Sequence, residues 1–266
     1  MIRLEHVTKA FPIKGGLRTV VRDLTMTIPR GRNLALLGRN GAGKSTLLSM
    51  ISGAMKPDSG RILRHARVSF PLGFSGSFHR DMTGRQNIRF VARIYGVDVE
   101  ALTDYVADFA ELGPFMDQPV KQYSSGMRAR LAFGVSMGIR FDVYLVDELT
   151  AVGDQSFRVK SKSVFERRLA ESDVIMVSHS MSQLRAYCDC GIVLENGRLE
   201  VFDDLEEAIV RHLDNMRRDG GAGAVGEAMP DDWDDDDAEA PAETFAAAPA
   251  RRGRGAGRRR ARERIG

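Results

Sequence analysis

One segment of this sequence, Gly38-Arg39-Asn40-Gly41-Ala42-Gly43-Lys44-Ser45-Thr46, restricts the possible folds more than any other. It has the pattern G-x-x-x-x-G-K-[ST] of a phosphate-binding loop, with an apolar run before it and a helical pattern after it. Glycines let the backbone N–H groups turn inward, and the N-terminal end of the next helix adds positive potential. The segment therefore predicts a polyphosphate site in which Lys44 reaches the β- and γ-phosphates and Ser45 binds Mg²⁺.

The length and composition of the chain agree with a folded domain. The chain has 266 residues, 43% of them apolar, which is enough for a substantial core. We see no membrane-spanning run and no signal-peptide pattern, and we expect a cytoplasmic protein. Cys188 and Cys190 are too close for an easy disulfide and too few for structural zinc, so we expect reduced, half-buried packing residues.

Periodicity indicates an α/β fold over residues 1–219, with a P-loop NTPase core, an antiparallel β subdomain and an α-helical insertion. Alternating residues predict the β subdomain at 2–7 and 20–28, and helical spacing predicts the insertion at about 83–138. Further strands are predicted at 61–63, 67–70, 142–146, 174–177, 192–194 and 198–202, and further helices at 155–169, 181–187 and 205–216.

Residues 220–266 have a different composition, with an aspartate-rich stretch followed by an arginine-rich end. This composition predicts a disordered, low-complexity tail. The tail is interpreted as a solubilising or tethering segment, and contact of its arginines with anionic lipid is the alternative. We expect no nucleic acid partner.

Two carboxylates, Asp147 and Glu148, end a predicted buried strand. In a parallel nucleotide-binding sheet this edge faces the phosphates, so Asp147 is a candidate Mg²⁺ ligand and Glu148 a candidate for polarising the attacking water. His179 follows another buried strand and should reach the same edge, where it could contact the γ-phosphate. A solvated acidic pair and a structural histidine are the alternatives.

Two further features admit functional and structural interpretations. Phe11, between the first two strands, could stack on a base or simply pack. Ser124-Ser125-Gly126 begins a predicted helix whose N–H groups could bind a second anion, or the serines could be ordinary caps. One chain offers this helix no phosphate, but two chains arranged head to tail would.

Taken in chain order over about residues 1–215, these motifs resemble those of the ATP-binding subunit of an ATP-binding cassette (ABC) transporter. The phosphate loop matches Walker A, 143–147 matches Walker B and Glu148 matches the catalytic glutamate. The remaining matches are Ser124-Ser125-Gly126-Met127 to the signature, Asp154 to the D-loop aspartate, His179 to the switch histidine and Phe11 to the adenine-stacking aromatic. The resemblance implies an ABC ATPase fold that hydrolyses ATP with Mg²⁺ as a homodimer.

A narrower resemblance is to the capsular polysaccharide exporter subfamily, through residues 69–74, 83–87, 123–134 and 147–154. It implies a peripheral ATPase on the cytoplasmic face of the inner membrane, paired with a transmembrane permease that exports lipid-linked polysaccharide. The permease would dock at about 73–95, where Phe74, Phe78, Met82, Ile88 and Phe90 are apolar. Core packing is the alternative for each of them.

The sequence departs from the general family at several positions. Residues 70–74 lack the glutamine usual in the segment that joins core and insertion, and Ser125, Met127 and Leu149 replace glycine, glutamine and proline. The last three resemble the pattern of the polysaccharide-exporter subfamily, and we interpret them as subfamily character. An O-antigen or teichoic-acid-type exporter ATPase is the alternative function, and a soluble ABC ATPase is less favoured because the chain shows one cassette and no long coiled coil. A module with a dead site would lack Lys44, Glu148 or His179.

Overall fold

The computed structural model describes residues 1–72, 78–148 and 155–219, so the tail predicted at 220–266 lies outside the described residues. The strands in these ranges are β1 (Ile2–Ile13), β2 (Gly16–Ile28), β3 (Leu34–Leu37), β4 (Ser59–Arg64), β5 (Val143–Asp147), β6 (Asp173–Val177), β7 (Cys190–Glu195) and β8 (Arg198–Phe202). The α-helices are α1 (Lys44–Ser52), α2 (Gly84–Tyr95), α3 (Val99–Ala110), α4 (Ser125–Gly138), α5 (Gln155–Leu169), α6 (Met181–Tyr187) and α7 (Leu205–Asp219).

The predicted antiparallel subdomain is present as a sheet of order β2-β1-β4. Its first two strands are longer than predicted and meet at a tight turn, with Ile13 opposite Gly16. Phe11 therefore lies inside β1, and the prediction that it sits between strands is wrong. Register shifts between Leu4 and Ala10 interrupt the apolar alternation, so the sequence pattern did not predict the second half of β1.

The central sheet has the order β5-β6-β3-β7-β8, in which the first four strands are parallel and β8 is antiparallel. Alternate residues of β3 pack on opposite faces: Leu34 and Leu36 join a core with α1 and the small sheet, whereas Ala35 and Leu37 join a core with the helical insertion. Both faces of the sheet are covered, as a parallel sheet requires.

The strand predicted at 67–70 is absent from the described residues. Val68 and Leu72 make only isolated parallel bridges, to Val143 and Val146. Pro71 lies between them and has no N–H to donate to a ladder, so continuous pairing is not possible.

The insertion is helical, as predicted, and its helices have well-defined starts. Thr83 caps α2 through a reciprocal pair of hydrogen bonds with Gln86. Ser124 caps α4 by accepting a hydrogen bond of 3.1 Å from the backbone N–H of Met127. Gly138 lets α4 approach α3, because a Cβ there would collide with the side chain of Leu102.

Both cysteines of the chain belong to the hydrophobic core. Cys188 and Cys190 are free thiols, and they are buried rather than half-buried as expected. Burial raises the pKa of Cys188 to about 12 and that of Cys190 to about 11, so both stay protonated at neutral pH. None of the helices in the described ranges has both the length and the apolar character that a bilayer crossing requires.

Candidate nucleotide-binding site

The phosphate loop connects the central strand β3 to α1 and depends on its glycines. Gly38 has φ 152 and Gly43, the residue before α1, has φ 108, a left-handed conformation. A Cβ added to Gly38 would lie 2.6 Å from the carbonyl oxygen of Leu194. Only glycine fits at this point, and the loop can therefore lie flat against β7.

Lys44 spans the loop. Its Nζ donates hydrogen bonds to the carbonyl oxygens of Gly38, at 2.6 Å, and Arg39, at 3.1 Å. Burial lowers the pKa of Lys44, and the nearby carboxylates of Asp147 and Glu148 act in the opposite direction. The ammonium group is thus placed close to both predicted acidic residues.

The predicted carboxylates and histidine meet because β5 and β6 are parallel neighbours with Asp147 opposite Val177. The N–H of Glu148 donates to the carbonyl oxygen of Val177 at 2.9 Å, and Glu148 has φ 57. This geometry turns the Glu148 side chain toward His179, whose Nε2 lies 3.1 Å from Oε1 of Glu148. Both side chains are more than half exposed and are open to a ligand.

An open cleft of about 400 Å³ lies above these groups. It is lined by predicted site residues, namely Phe11, Asn40, Gly41, Gly43, Lys44, Ser45, Thr46, Asp147, Glu148 and His179. Gly38 and Ala42 do not line this cleft, and Ala42 lines a second cleft beside the β7–β8 turn. Asp154 lies outside the described residues.

Phe11 lines the cleft as a half-buried ring. The Nζ of Lys9 lies 5.4 Å from the ring centroid and is held by Asp58 at 2.6 Å. A cation near an aromatic face is a favourable contact, and it orients the ring.

The N-terminal end of α4 does not reach this cleft. Ser124 and Ser125 are exposed and Gly126 is half-buried, and none of the three lines the cleft of its own chain. The structure thus groups the phosphate loop, the acidic strand end and His179, and it leaves the signature residues apart.

Several lining residues were missed by the sequence reasoning. Arg18, Val20 and Ile13 come from the β1–β2 hairpin and complete the wall around Phe11. The turn at Lys14-Gly15 was the available signal, because it fixes the pairing that sets Arg18 opposite Phe11.

A phosphate loop on the central strand, carboxylates ending a neighbouring strand and an antiparallel layer carrying an aromatic ring define an ATP-binding cassette domain. Comparison with known proteins agrees: the ABC transporter family matches residues 21–151. The chain belongs to the ABC transporter family.

Comparison with individual proteins is more specific than the match to the family. The chain is 48% identical over 198 residues to the polysialic acid transport ATP-binding protein KpsT of Escherichia coli, covering 74% of this chain and 88% of that protein. It is 47% identical over 209 residues to the capsule polysaccharide export ATP-binding protein CtrD of Neisseria meningitidis, covering 78% and 96%. ATP-binding proteins of O-antigen and teichoic acid export are similar at lower identity.

A solved structure supports the fold alone. The dimeric post-hydrolysis state of the ATP-binding cassette MJ0796 bound to ADP and Pi matches with a TM-score of 0.62 at 19% identity, covering 76% of this chain and 98% of that one.

Proposed function

We propose that this protein is the ATP-hydrolysing subunit of an ABC exporter that moves lipid-linked capsular polysaccharide across the inner membrane. The observation that carries the proposal is the meeting of Lys44, Asp147, Glu148 and His179 around one cleft, in a chain closely related to capsule export proteins. In this proposal residues 1–219 are the ATPase domain, and residues 220–266 are a solubilising or tethering tail.

ATP would occupy the cleft with its adenine on Phe11 and its phosphates over residues 38–46. The loop N–H groups and the N-terminal end of α1 stabilise the phosphate charge. Lys44 would exchange its bonds to the loop carbonyls for bonds to the β- and γ-phosphates, which is a small movement for a flexible side chain.

Mg²⁺ fits the donors present. Within the described ranges no three His, Cys, Asp or Glu side chains form a metal site by themselves. Mg²⁺ is usually held by one or two protein oxygens, water and substrate phosphates, and Ser45 and Asp147 both line the cleft. When bound, the ion would neutralise charge on the β- and γ-phosphates.

Hydrolysis would begin when Glu148 accepts a proton from a water molecule beside the γ-phosphate. The water oxygen bonds to the γ-phosphorus, the bond from that phosphorus to the bridging oxygen breaks, and its electron pair stays on ADP. His179 touches Glu148 at 3.1 Å, so it can orient this carboxylate and also hydrogen-bond the γ-phosphate.

The active form would be a homodimer, because among the described residues the exposed N-terminal end of α4 lies apart from the cleft of its own chain. In the dimer, Ser124, Ser125 and Gly126 of each chain would meet the γ-phosphate held by the other. Asp154 is proposed as a further nucleotide-binding residue on the basis of its match to the D-loop aspartate. Attraction between the helix ends and the phosphates would favour closure when ATP is bound, and loss of phosphate would weaken it.

The membrane partner would be a transmembrane permease docked on α2, which would hold the ATPase at the cytoplasmic face of the inner membrane. Phe78 and Ile88 are buried, so for them core packing is the correct interpretation. Phe90 is 55% exposed and is joined one turn later by Ile94, at 62%. Met82 is half-buried, and Phe74 lies outside the described residues.

The biochemical test is the Glu148→Gln variant of the full chain. We expect ATP hydrolysis to fall by about 100-fold or more while ATP binding persists, because only the proton acceptor is lost. Phosphate release and equilibrium binding of a fluorescent ATP analogue measure the two properties. Unchanged turnover would remove Glu148 from its proposed role.

The biological test is deletion of the gene and complementation with wild-type or Lys44→Ala protein. We expect surface capsule to disappear and polymer to accumulate inside the cell unless the wild-type protein is supplied. Loss of O-antigen or teichoic acid with normal capsule would establish the alternative exporters. Unaffected surface polysaccharide of every kind would favour a soluble ABC ATPase.

A further inference from the structure

Arg18 occupies a place in the cleft that none of the recognised motifs explains. It lies on β2 directly opposite Phe11 in the antiparallel pairing. Cross-strand partners project from the same face of a sheet, so the guanidinium and the ring both point toward the cleft that they line.

The guanidinium is already attached to the phosphate loop. Its Nη2 donates a 2.8 Å hydrogen bond to the carbonyl oxygen of Gly41, at the middle of the loop. An arginine has five N–H donors, and this bond uses one of them. Among the described residues no carboxylate forms an ion pair with Arg18.

Arg18 is therefore connected to two parts of the cleft. It is the cross-strand partner of Phe11, and its guanidinium is bonded to Gly41 in the phosphate loop that also carries Lys44. In ATP the ribose and the α-phosphate connect the base to the β- and γ-phosphates.

We propose that Arg18 is a second phosphate-binding cation of this cleft, which contacts the α-phosphate of the bound adenine nucleotide. This inference rests on the proposed ATPase function and adds a residue to its binding site. Arginine suits the role because its planar fork can bond a carbonyl and a phosphate oxygen together. The same side chain ties the β subdomain, which binds the base, to the loop, which binds the phosphates.

The test compares ATP, ADP and AMP binding by wild type, Arg18→Ala, Arg18→Gln and Arg18→Lys, using competition against a fluorescent ADP analogue. A contact with the α-phosphate is common to all three nucleotides. We therefore expect Arg18→Ala to weaken each of them by a similar factor of about tenfold, and to reduce the salt dependence of binding. Arg18→Lys keeps the charge but not the planar fork and should recover part of the affinity, whereas Arg18→Gln should recover little of it.

The matched control is Arg22→Ala, which removes the same charge from an exposed position of β2 that does not line the cleft. We expect it to bind all three nucleotides as the wild type does. If Arg18→Ala fails to fold, the Gln and Lys variants carry the comparison.

Distinct results would overturn the inference. Wild-type affinity in Arg18→Ala, or a loss confined to ATP, would exclude an α-phosphate contact. Full recovery in Arg18→Gln would mean that the side chain only clamps the loop at Gly41. Absence of nucleotide binding by the wild type would instead overturn the proposed ATPase function.

Discussion

Glu148 shows how backbone geometry places a reacting group. A left-handed backbone is uncommon for a residue with a side chain, and here the N–H bond to Val177 fixes it. This backbone conformation directs the Glu148 side chain toward His179 and away from the strand ladder. A local strain of this kind is typical of functional positions, and the protein tolerates it because β5 and β6 determine the conformation.

His212 is the buried histidine of this protein, since His6, His65, His79 and His179 are exposed. Within the described residues its Nδ1 has no hydrogen-bond partner. Burial lowers its pKa, and the charges of Lys44 and His179 lower it further. The folded protein therefore holds this imidazole neutral below neutral pH.

This burial predicts a pH dependence of stability. The unfolded chain takes up a proton near the ordinary pKa of 6.5, whereas the folded chain does so only at lower pH. Stability is thus complete above that pKa and is lost as the pH falls toward the lowered value. In thermal melts between about pH 7.5 and about pH 5.5 we expect His212→Leu to lose less stability than the wild type.

The exposed His65 supplies the control for this prediction. His65→Gln should follow the wild-type curve at every pH. Parallel curves for His212→Leu and the wild type would mean that other groups control acid stability.

At the residue scale, the sequence predicted groups whose chemistry is local to a motif. Lys44, Asp147, Glu148 and His179 were identified because a phosphate loop and buried strands have recognisable patterns. Arg18 was not, because its importance depends on the register of a hairpin and no motif contains it.

Among the elements, α7 packs unusually close to the sheet. Gly191 of β7 lies under Ala208 of α7, and a Cβ at Gly191 would collide with the Cβ of Ala208. This contact fixes α7, the helix that carries His212, against β7. The effect on stability of a substitution at this contact therefore tests the packing.

We predict that Gly191→Ala destabilises the protein by about 1–3 kcal/mol, because the core has no room for the methyl group. Urea denaturation measures the change. The double variant Gly191→Ala with Ala208→Gly should be more stable than Gly191→Ala alone, although glycine in a helix costs about 1 kcal/mol. A double variant that is less stable than both single variants would show that this contact is not the cause.

At the element scale, helices were predicted better than strands. The helices at 155–169 and 181–187 have the predicted bounds, because the pattern that indicates a helix involves residues only three or four positions apart. The Asn196-Gly197 sequence is typical of a two-residue hairpin turn, and it joins β7 to β8 with positive φ at both residues. The full length of β1 depends on bulged pairing with distant strands and was missed.

For the whole molecule, the main feature is that one chain holds only part of the proposed active site. The cleft is open, and the capped end of α4 that should complete it is exposed elsewhere on the same chain. The sequence predicted this arrangement from the helix start at Ser124-Ser125-Gly126, which a second chain could supply with a phosphate, and from the resemblance to a family. Periodicity alone gave no indication of a second chain.

We predict that Ser125→Glu prevents ATP-dependent dimerisation. An acidic residue in the first turn favours the helix itself, so α4 should fold normally. The same charge would repel the γ-phosphate of the other chain. In a Glu148→Gln background with ATP, light scattering should show a dimer, and adding Ser125→Glu should leave a monomer that still binds ATP.

Ser125→Gly is the matched control, since it keeps the backbone N–H groups and adds no charge. We expect it to dimerise. Dimers of undiminished stability in Ser125→Glu would exclude α4 from the shared site.

The exposed pair Phe90 and Ile94 predicts where the membrane partner binds. Residues four apart share one face of a helix, so the two side chains form a small apolar patch on α2. Replacing both by Ser should reduce the fraction of protein recovered with membranes that contain the exporter. ATP hydrolysis by the isolated protein should not change.

Val159→Ser, at a residue 61% exposed on α5, controls for loss of surface apolar area. It should leave membrane recovery unchanged. Equal recovery of the double variant and the wild type would place the docking surface elsewhere.

The position of β3 also governs how the protein can fold during synthesis. Its hydrogen-bonded neighbours are β6 and β7, which the ribosome produces more than a hundred residues later. A nascent chain that already contains the whole phosphate loop therefore has nothing on either side to hold the strand that leads into it. Until about residue 195 has emerged, the early half depends on the small sheet alone, and premature termination should yield insoluble fragments rather than a smaller ATP-binding unit.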